Sequence, residues 1–166
     1  MPSGQFLELA NVILEDAREA GATLIVNDRA DLARLSGAHG LHVGQTDLTP
    51  ADARKLIGTT AILGLSTHDE GQWTAALREP VSYIAIGPTF GTGTKATRYS
   101  AIGLPTVTAA STAAREAGLP AVAIGGITLE NAASVIETGA SAVAVISDLL
   151  KGDPEARCRA FLGILA

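Results

Sequence analysis

Leu41-His42-Val43-Gly44-Gln45-Thr46-Asp47-Leu48-Thr49-Pro50-Ala51-Asp52, residues 41–52, holds a complete strand-to-helix junction. A short run ending in the β-branched Val43 gives way to the polar Gly44-Gln45-Thr46-Asp47, and a helix start follows. Thr49 offers an N-cap hydroxyl, Pro50 suits the first helical position, and Asp52 places an acid in the first turn. One such junction is a βα unit.

The same grammar recurs along the chain. The runs 23–26, 41–43, 61–65, 83–86, 121–124 and 142–146 are short and rich in Val, Ile, Leu and Ala, which predicts strands buried on both faces. Helical patterns lie between them, with one before the first strand (residues 6–20) and one after the last (154–165). Thr128-Leu129-Glu130-Asn131 reads as a further helix start, with Gly139 as its stop, and Gly118-Leu119-Pro120 ends the helix before the fifth strand. Strand centres at Leu24, His42, Leu63, Ile84, Val122 and Val143 repeat at about twenty residues, with one long interval after Ile84. Regular βα units without a reversal predict an α/β fold of the (β/α) TIM-barrel type. It is incomplete: six parallel strands stand where a full barrel has eight, with residues 1–166 as a single partial barrel domain.

Composition supports that architecture and narrows the function. Apolar residues make up 47% of the 166 and aromatics only 4%, so the core is built of aliphatic side chains. The net charge of −5 argues against a nucleic-acid surface. The single cysteine, Cys158, excludes an intrachain disulfide and reads as a packed or half-exposed thiol on the last helix. The segment MPSGQFLELAN lacks a basic, then apolar, leader pattern, and no apolar run approaches about 18 residues. The expectation is a cytoplasmic protein with no membrane and no nucleic-acid partner.

Barrel chemistry sits at the C-terminal ends of the strands. The residues there are Asn27-Asp28-Arg29, Gly44-Gln45-Thr46-Asp47, Ser66-Thr67-His68, Gly87-Pro88-Thr89-Phe90, Gly125-Gly126-Ile127 and Ser147-Asp148, an unusually polar set. Asp28 and Asp47 follow consecutive strands. Their carboxylates either converge on Mg²⁺, which favours hard oxygen ligands, or cap the helices that follow. Gly125-Gly126 either brings phosphate onto backbone N–H groups at a helix start, with Ser147 beside it, or is only a tight turn. The insertion 87–95, rich in Gly and Thr and ending in Lys95, either covers an anionic ligand or is a surface loop. His42 reads as a core histidine or as support for a neighbouring site residue, and His68 as a group that orients a ligand. No G-x-S-x-G elbow supports Ser-His-Asp hydrolysis.

At these residues the chain resembles the thiamine phosphate synthase family. The matching motifs are Ile25-Val26-Asn27-Asp28-Arg29, His42-Val43-Gly44-Gln45-Thr46-Asp47-Leu48, Gly64-Leu65-Ser66-Thr67-His68, the loop from Gly87 to Lys95, Ala123-Ile124-Gly125-Gly126-Ile127-Thr128 and Val145-Ile146-Ser147, in the family's order. The resemblance implies a Mg²⁺-dependent transferase. It would join a hydroxymethylpyrimidine diphosphate to a hydroxyethylthiazole phosphate, giving thiamine phosphate and pyrophosphate. It implies that Asn27, Ser66 and Lys95 bind the pyrimidine diphosphate, with Ser66 and Lys95 catalytic, and that Asp28 and Asp47 hold Mg²⁺. It also implies that Thr92, Thr94, Gly126, Ile146 and Ser147 bind the thiazole phosphate, with Gly93 and Gly125 helping through their backbone.

The related thiazole tautomerase group shares the fold. Its members tend to lack the second aspartate and to carry a histidine where this chain has Pro88, so Asp47 and Pro88 favour the synthase. Family members begin with two further strands, the second ending in a Gln-Leu-Arg-Glu-Lys type motif, and the chain matches from the family's second helix. Its expected partners are therefore small phosphorylated substrates, with a homo-oligomer covering open strand edges. A weakened synthase and a non-catalytic thiazole phosphate-binding module are the competing expectations, and a different barrel enzyme acting on a small phosphorylated metabolite is the third.

Overall fold

All six aliphatic runs form strands in the computed structural model, which describes residues 1–91 and 99–165. The elements alternate as α1 (Ser3–Ala20), β1 (Ile25–Asn27), α2 (Ala30–Ser36), β2 (Gly40–Val43), α3 (Pro50–Ile57), β3 (Ile62–Thr67), α4 (Glu70–Ala76), β4 (Tyr83–Ile86), α5 (Gly103–Glu116), β5 (Ala121–Ile124), α6 (Ala132–Ile136), β6 (Ala142–Ala144) and α7 (Pro154–Leu165). This βα series is the α/β, (β/α)-barrel class with six strands in place of eight. Among the described residues no helix is long and apolar enough to cross a membrane.

The chain divides into two compact units. The first comprises Met1–Ser66 with Glu79–Ser82. Its strands β1, β2 and β3 pair in parallel, with Val26 opposite Leu41 and Leu41 opposite Leu63. These aliphatic side chains are buried together with Ala10 and Leu14 of α1, Leu32 and Ala33 of α2, and Ala53 and Ile57 of α3. Small residues on the helices let them lie close to the strands, as the Ala-rich composition predicts. Thr49 caps α3 as expected, its hydroxyl accepting from the Asp52 N–H at 3.2 Å. Arg54 binds what the far end of α3 leaves open: its guanidinium donates to the carbonyls of Gly58, Ala61 and Pro80 and to the Ser82 hydroxyl. His39 and Leu24 exchange two hydrogen bonds, Leu24 N–H to Nδ1 at 2.9 Å and His39 N–H to the Leu24 carbonyl at 3.0 Å, so this histidine holds the entry to β1.

The second unit comprises Thr67–Arg78 with Tyr83–Ala166. Strands β4, β5 and β6 pair in parallel, Ala85 with Val122 and Val122 with Ala142. Ile84 and Ile86 of β4, Ala121 and Ala123 of β5, Val107, Ala110 and Ala114 of α5, Ala132 and Val135 of α6 and Phe161 of α7 form its core. Cys158 is exposed on α7.

Several boundaries differ from the reading of the sequence: α1 begins at Ser3 rather than residue 6, β1 is Ile25–Asn27 rather than 23–26, β2 begins at Gly40 rather than Leu41, and β3 is Ile62–Thr67 rather than 61–65. β6 stops at Ala144 rather than Ile146, because its pairing with β5 ends at the Ile124–Ala144 pair. The helix expected from Thr128 begins at Ala132. Thr128 N–H bonds to the Asn131 side chain and Leu129 N–H to the Asp148 carboxylate, so residues 128–131 form a turn before the helix.

Gly40 is where the first unit is tightest. A Cβ there would lie 2.3 Å from the Ile62 carbonyl oxygen and 2.8 Å from the Ile25 side chain. Gly40→Ala is expected to cost about 2 kcal/mol by overpacking. Thermal unfolding should then show a Tm lower by roughly 4–8 °C for a domain of this size.

Candidate active site

The strand exits of the first unit hold four of the residues singled out from the sequence. The β1–β2 ladder runs one residue beyond the strand, with Asp28 N–H donating to the His42 carbonyl at 2.8 Å. Asp28 then takes φ +62°, a left-handed conformation that aspartate tolerates better than most residues. The chain turns there, and Arg29 N–H returns to the Asn27 carbonyl at 2.7 Å. Asn27 and Asp28 are both exposed at this edge. The Arg29 guanidinium is engaged by Asp31 at 2.6 Å, and this hydrogen bond lowers the Asp31 pKa to about 2.

After the next strand, Asp47 closes a turn: its Oδ2 accepts the Gly44 N–H at 2.8 Å. Gln45 in the same turn donates through Nε2 to the Ser66 carbonyl at 2.7 Å. Ser66 lies near the end of β3, and its hydroxyl is 2.8 Å from His42 Nε2. His42 thus contacts the candidate residue Ser66 rather than only packing in the core. With Asn27 opposite His42 and Val43 opposite Leu65, parallel register brings Asn27, Asp28, Asp47 and Ser66 to the same end of three adjacent strands. Among the described residues no group of three or more His, Cys, Asp or Glu is placed to hold a metal. Asp28 and Asp47 are the two carboxylates at this end, and hard oxygen ligands of that kind are the sort Mg²⁺ takes.

In the second unit the exits of β4, β5 and β6 are held by backbone. Thr89 N–H donates to the Ile124 carbonyl at 2.8 Å and Phe90 N–H to the Gly125 carbonyl at 3.0 Å. A Cβ on Gly125 would lie 2.7 Å from Pro88 Cα, and one on Gly126 2.6 Å from the Gly91 carbonyl oxygen. Both glycines also take positive φ, +96° and +66°. The pair thus has a packing duty, seating the loop after β4, whether or not it also receives an anion. Ile124 is paired with Ala144, so Gly125-Gly126 and Val145-Ile146 continue adjacent strands, and Ile146 and Ser147 are exposed there. The Thr128 and Leu129 N–H groups are already occupied, so an anion at this turn would use donors closer to the strand. Thr92, Gly93, Thr94 and Lys95 lie outside the described residues.

Two features escaped sequence reasoning. His68 donates through Nδ1–H to the Gly87 carbonyl at 2.6 Å and stacks on Tyr99 with ring centroids 3.6 Å apart, so it touches the chain on both sides of residues 92–98. Asp148 is buried, its Oδ2 accepting from Leu129 N–H at 3.0 Å and from Arg157 at 2.6 Å, with the Lys151 ammonium 2.9 Å from Oδ1 as an ion pair. Asp148 and Arg157 are separated by a strap with no periodic pattern, and only the position of Asp148 at a strand exit pointed toward it.

A family model described as thiamine monophosphate synthase matches residues 1–149. The chain belongs to the thiamine monophosphate synthase family. A thiamine-phosphate synthase of Koribacter versatilis is 46% identical over 94% of this chain and 75% of its own length. One of Roseiflexus castenholzii is 43% identical over 100% of this chain and 72% of its own. Among solved structures, a thiamine phosphate pyrophosphorylase from Pyrococcus furiosus matches with a TM-score of 0.90 and 26% identity, covering 99% of this chain and 78% of that one.

Asp148 gives this family member a measurable acid dependence. Burial alone would raise its pKa. The hydrogen bonds from Lys151, Leu129 and Arg157 outweigh burial and lower it to about 2. An unfolded aspartate titrates near 3.9, so the stabilisation is intact above about pH 5 and is lost as pH falls from about 4 toward 2. Asp148→Asn should be clearly less stable than wild type at pH 7, by about 3 kcal/mol for a broken buried pair. Denaturant titrations should show this gap closing as pH approaches 2.

Proposed function

We propose that the chain is a thiamine phosphate synthase that joins 4-amino-2-methyl-5-hydroxymethylpyrimidine diphosphate to 4-methyl-5-(2-hydroxyethyl)thiazole phosphate. The observation that carries this reading is the Ser66 hydroxyl, held by His42 at the strand end where Asp28 and Asp47 also emerge. This supplies oriented hydrogen-bonding and two hard oxygen ligands, and no activated protein nucleophile is required. The bond from the pyrimidine methylene to the diphosphate oxygen breaks, with its electron pair leaving on pyrophosphate. The thiazole nitrogen lone pair forms the new C–N bond. Dissociative displacement of this kind is catalysed by positioning and by stabilising the departing charge.

The residues divide by substrate. Asn27 and Ser66 hold the pyrimidine diphosphate, with Lys95 supplying a cation to the leaving group. Asp28 and Asp47 hold Mg²⁺, whose chemistry when bound is to offset charge on the diphosphate. Gln45 and His42 fix the Ser66 main chain and hydroxyl, so that the group meets substrate already oriented. Gly125, Gly126, Ile146 and Ser147, with Thr92, Gly93 and Thr94, receive the thiazole phosphate. On this reading residues 1–166 act as one partial barrel domain in the cytoplasm. Its partners are small phosphorylated substrates and a second copy of the chain, the latter tested by its mass in solution.

The test is thiamine phosphate formation by the purified protein with Mg²⁺ and both substrates. Turnover should disappear with chelator. Ser66→Ala should lower kcat by roughly 10²-fold, the scale of losing one preorganised transition-state donor. Asp28→Asn should raise the Mg²⁺ concentration needed for half-maximal rate. A folded protein that binds neither substrate contradicts the reading. Thiazole phosphate binding without any turnover favours a non-catalytic binding module instead.

A further inference from the structure

Asp148 is the only charged residue among those described that is buried, with 1% of its surface exposed. A carboxylate in such a place is costly unless fully partnered. Its partners come from three separate parts of the second unit. Leu129 belongs to the turn after β5, Lys151 to the strap after β6, and Arg157 to α7, which also donates through Nε to the Asp148 carbonyl oxygen at 3.1 Å. Side chain and main chain of one residue are therefore both clamped.

The location gives the clamp a role. Asp148 directly follows Ser147, and Leu129 lies three residues after Gly126. The hydrogen bond from Leu129 N–H to Oδ2 consequently ties the exit of β6 to the exit of β5, whose glycines are themselves seated against Pro88 and Gly91. The same bond fills the N–H that an incoming anion would otherwise compete for at the start of the turn. A strand-exit loop without such a tie has no long-range bond to set its spacing from its neighbour. We propose that Asp148, with Arg157, is a positioning residue for the thiazole phosphate. It sets the separation between the Gly125-Gly126 turn and Ile146-Ser147 and leaves the phosphate to the donors nearer the strands. This rests on the assignment of those residues to the thiazole phosphate. Asp148 itself does not touch substrate.

The test separates the two substrates. With the full chain and Mg²⁺, Asp148→Asn and Arg157→Gln are each measured at a temperature where circular dichroism shows them folded. Calorimetry gives the thiazole phosphate Kd, and steady-state rates give the KM for each substrate. Asp148→Asn is nearly isosteric and keeps an acceptor for Leu129 N–H, so it serves even if Asp148→Ala does not fold. Both variants should weaken thiazole phosphate binding about tenfold while the pyrimidine diphosphate KM stays within about twofold, as misplacement confined to one half-site requires. Unchanged thiazole phosphate affinity overturns the proposal, and so does an equal loss for both substrates, which marks a purely structural role. A wild-type protein that binds no thiazole phosphate instead removes the functional reading on which the proposal stands.

Discussion

Parallel pairing in close register is the interaction on which the rest depends. The inner strands β2, β3 and β4 are mostly buried, so polar chemistry collects toward the strand ends. Because the strands run the same way, their ends meet at one edge. The register Asn27 to His42 and Val43 to Leu65 does this in the first unit, and Ile86 to Ala123 and Ile124 to Ala144 in the second. The ladder continues past the strands, through Asp28 N–H to the His42 carbonyl and Gly87 N–H to that of Thr67, which holds the first exit residues to the sheet geometry. The exit residues are positioned by backbone, and His42 and Gln45 add hydrogen bonds that fix the Ser66 hydroxyl and carbonyl.

The two sets of exits are stabilised differently. In the first unit the turns are short and closed by side chains: the Asp47 carboxylate takes the Gly44 N–H, and Asp28 accepts a left-handed backbone. Both carboxylates are therefore part of the turns that present them. In the second unit the exits are longer and are held by close backbone approach. Gly125 and Gly126 each lack the Cβ that would collide with the loop after β4, and Gly87 lacks the one that would meet Ile124 at the end of β5. Glycine at these places serves packing: the space a Cβ would take is already filled by neighbouring chain.

Much of this was legible in the sequence. The runs 83–86 and 121–124 became β4 and β5 with no change of bounds, because each is a buried aliphatic stretch closed by Gly or Pro. Thr49-Pro50-Ala51-Asp52 declared the start of α3 through local chemistry alone. What was not legible depends on partners distant in the chain. Thr128 looked like a helix start by the same rules, yet Asn131 takes the Thr128 N–H and Asp148, 19 residues beyond Leu129, takes the Leu129 N–H. The His42–Ser66 hydrogen bond, at a separation of 24 residues, is set by strand register, which a motif cannot reveal. The turn at Asp47 and the packing of Gly125 and Gly126 show a further limit. Residue types suited to binding are also suited to holding a loop, and here they hold the loop.

The central claim is that pyrimidine diphosphate is received by the exits of β1, β2 and β3 and thiazole phosphate by those of β5 and β6. Backbone amide chemical shifts, followed while each substrate is added separately to the Mg²⁺-containing protein, test it most directly. The account predicts that pyrimidine diphosphate moves the amides of Asn27, Asp28, Asp47 and Ser66. Thiazole phosphate should move those of Gly125, Gly126, Ile127 and Ser147. The reverse assignment, or shifts from either substrate confined to residues away from every strand exit, would contradict it.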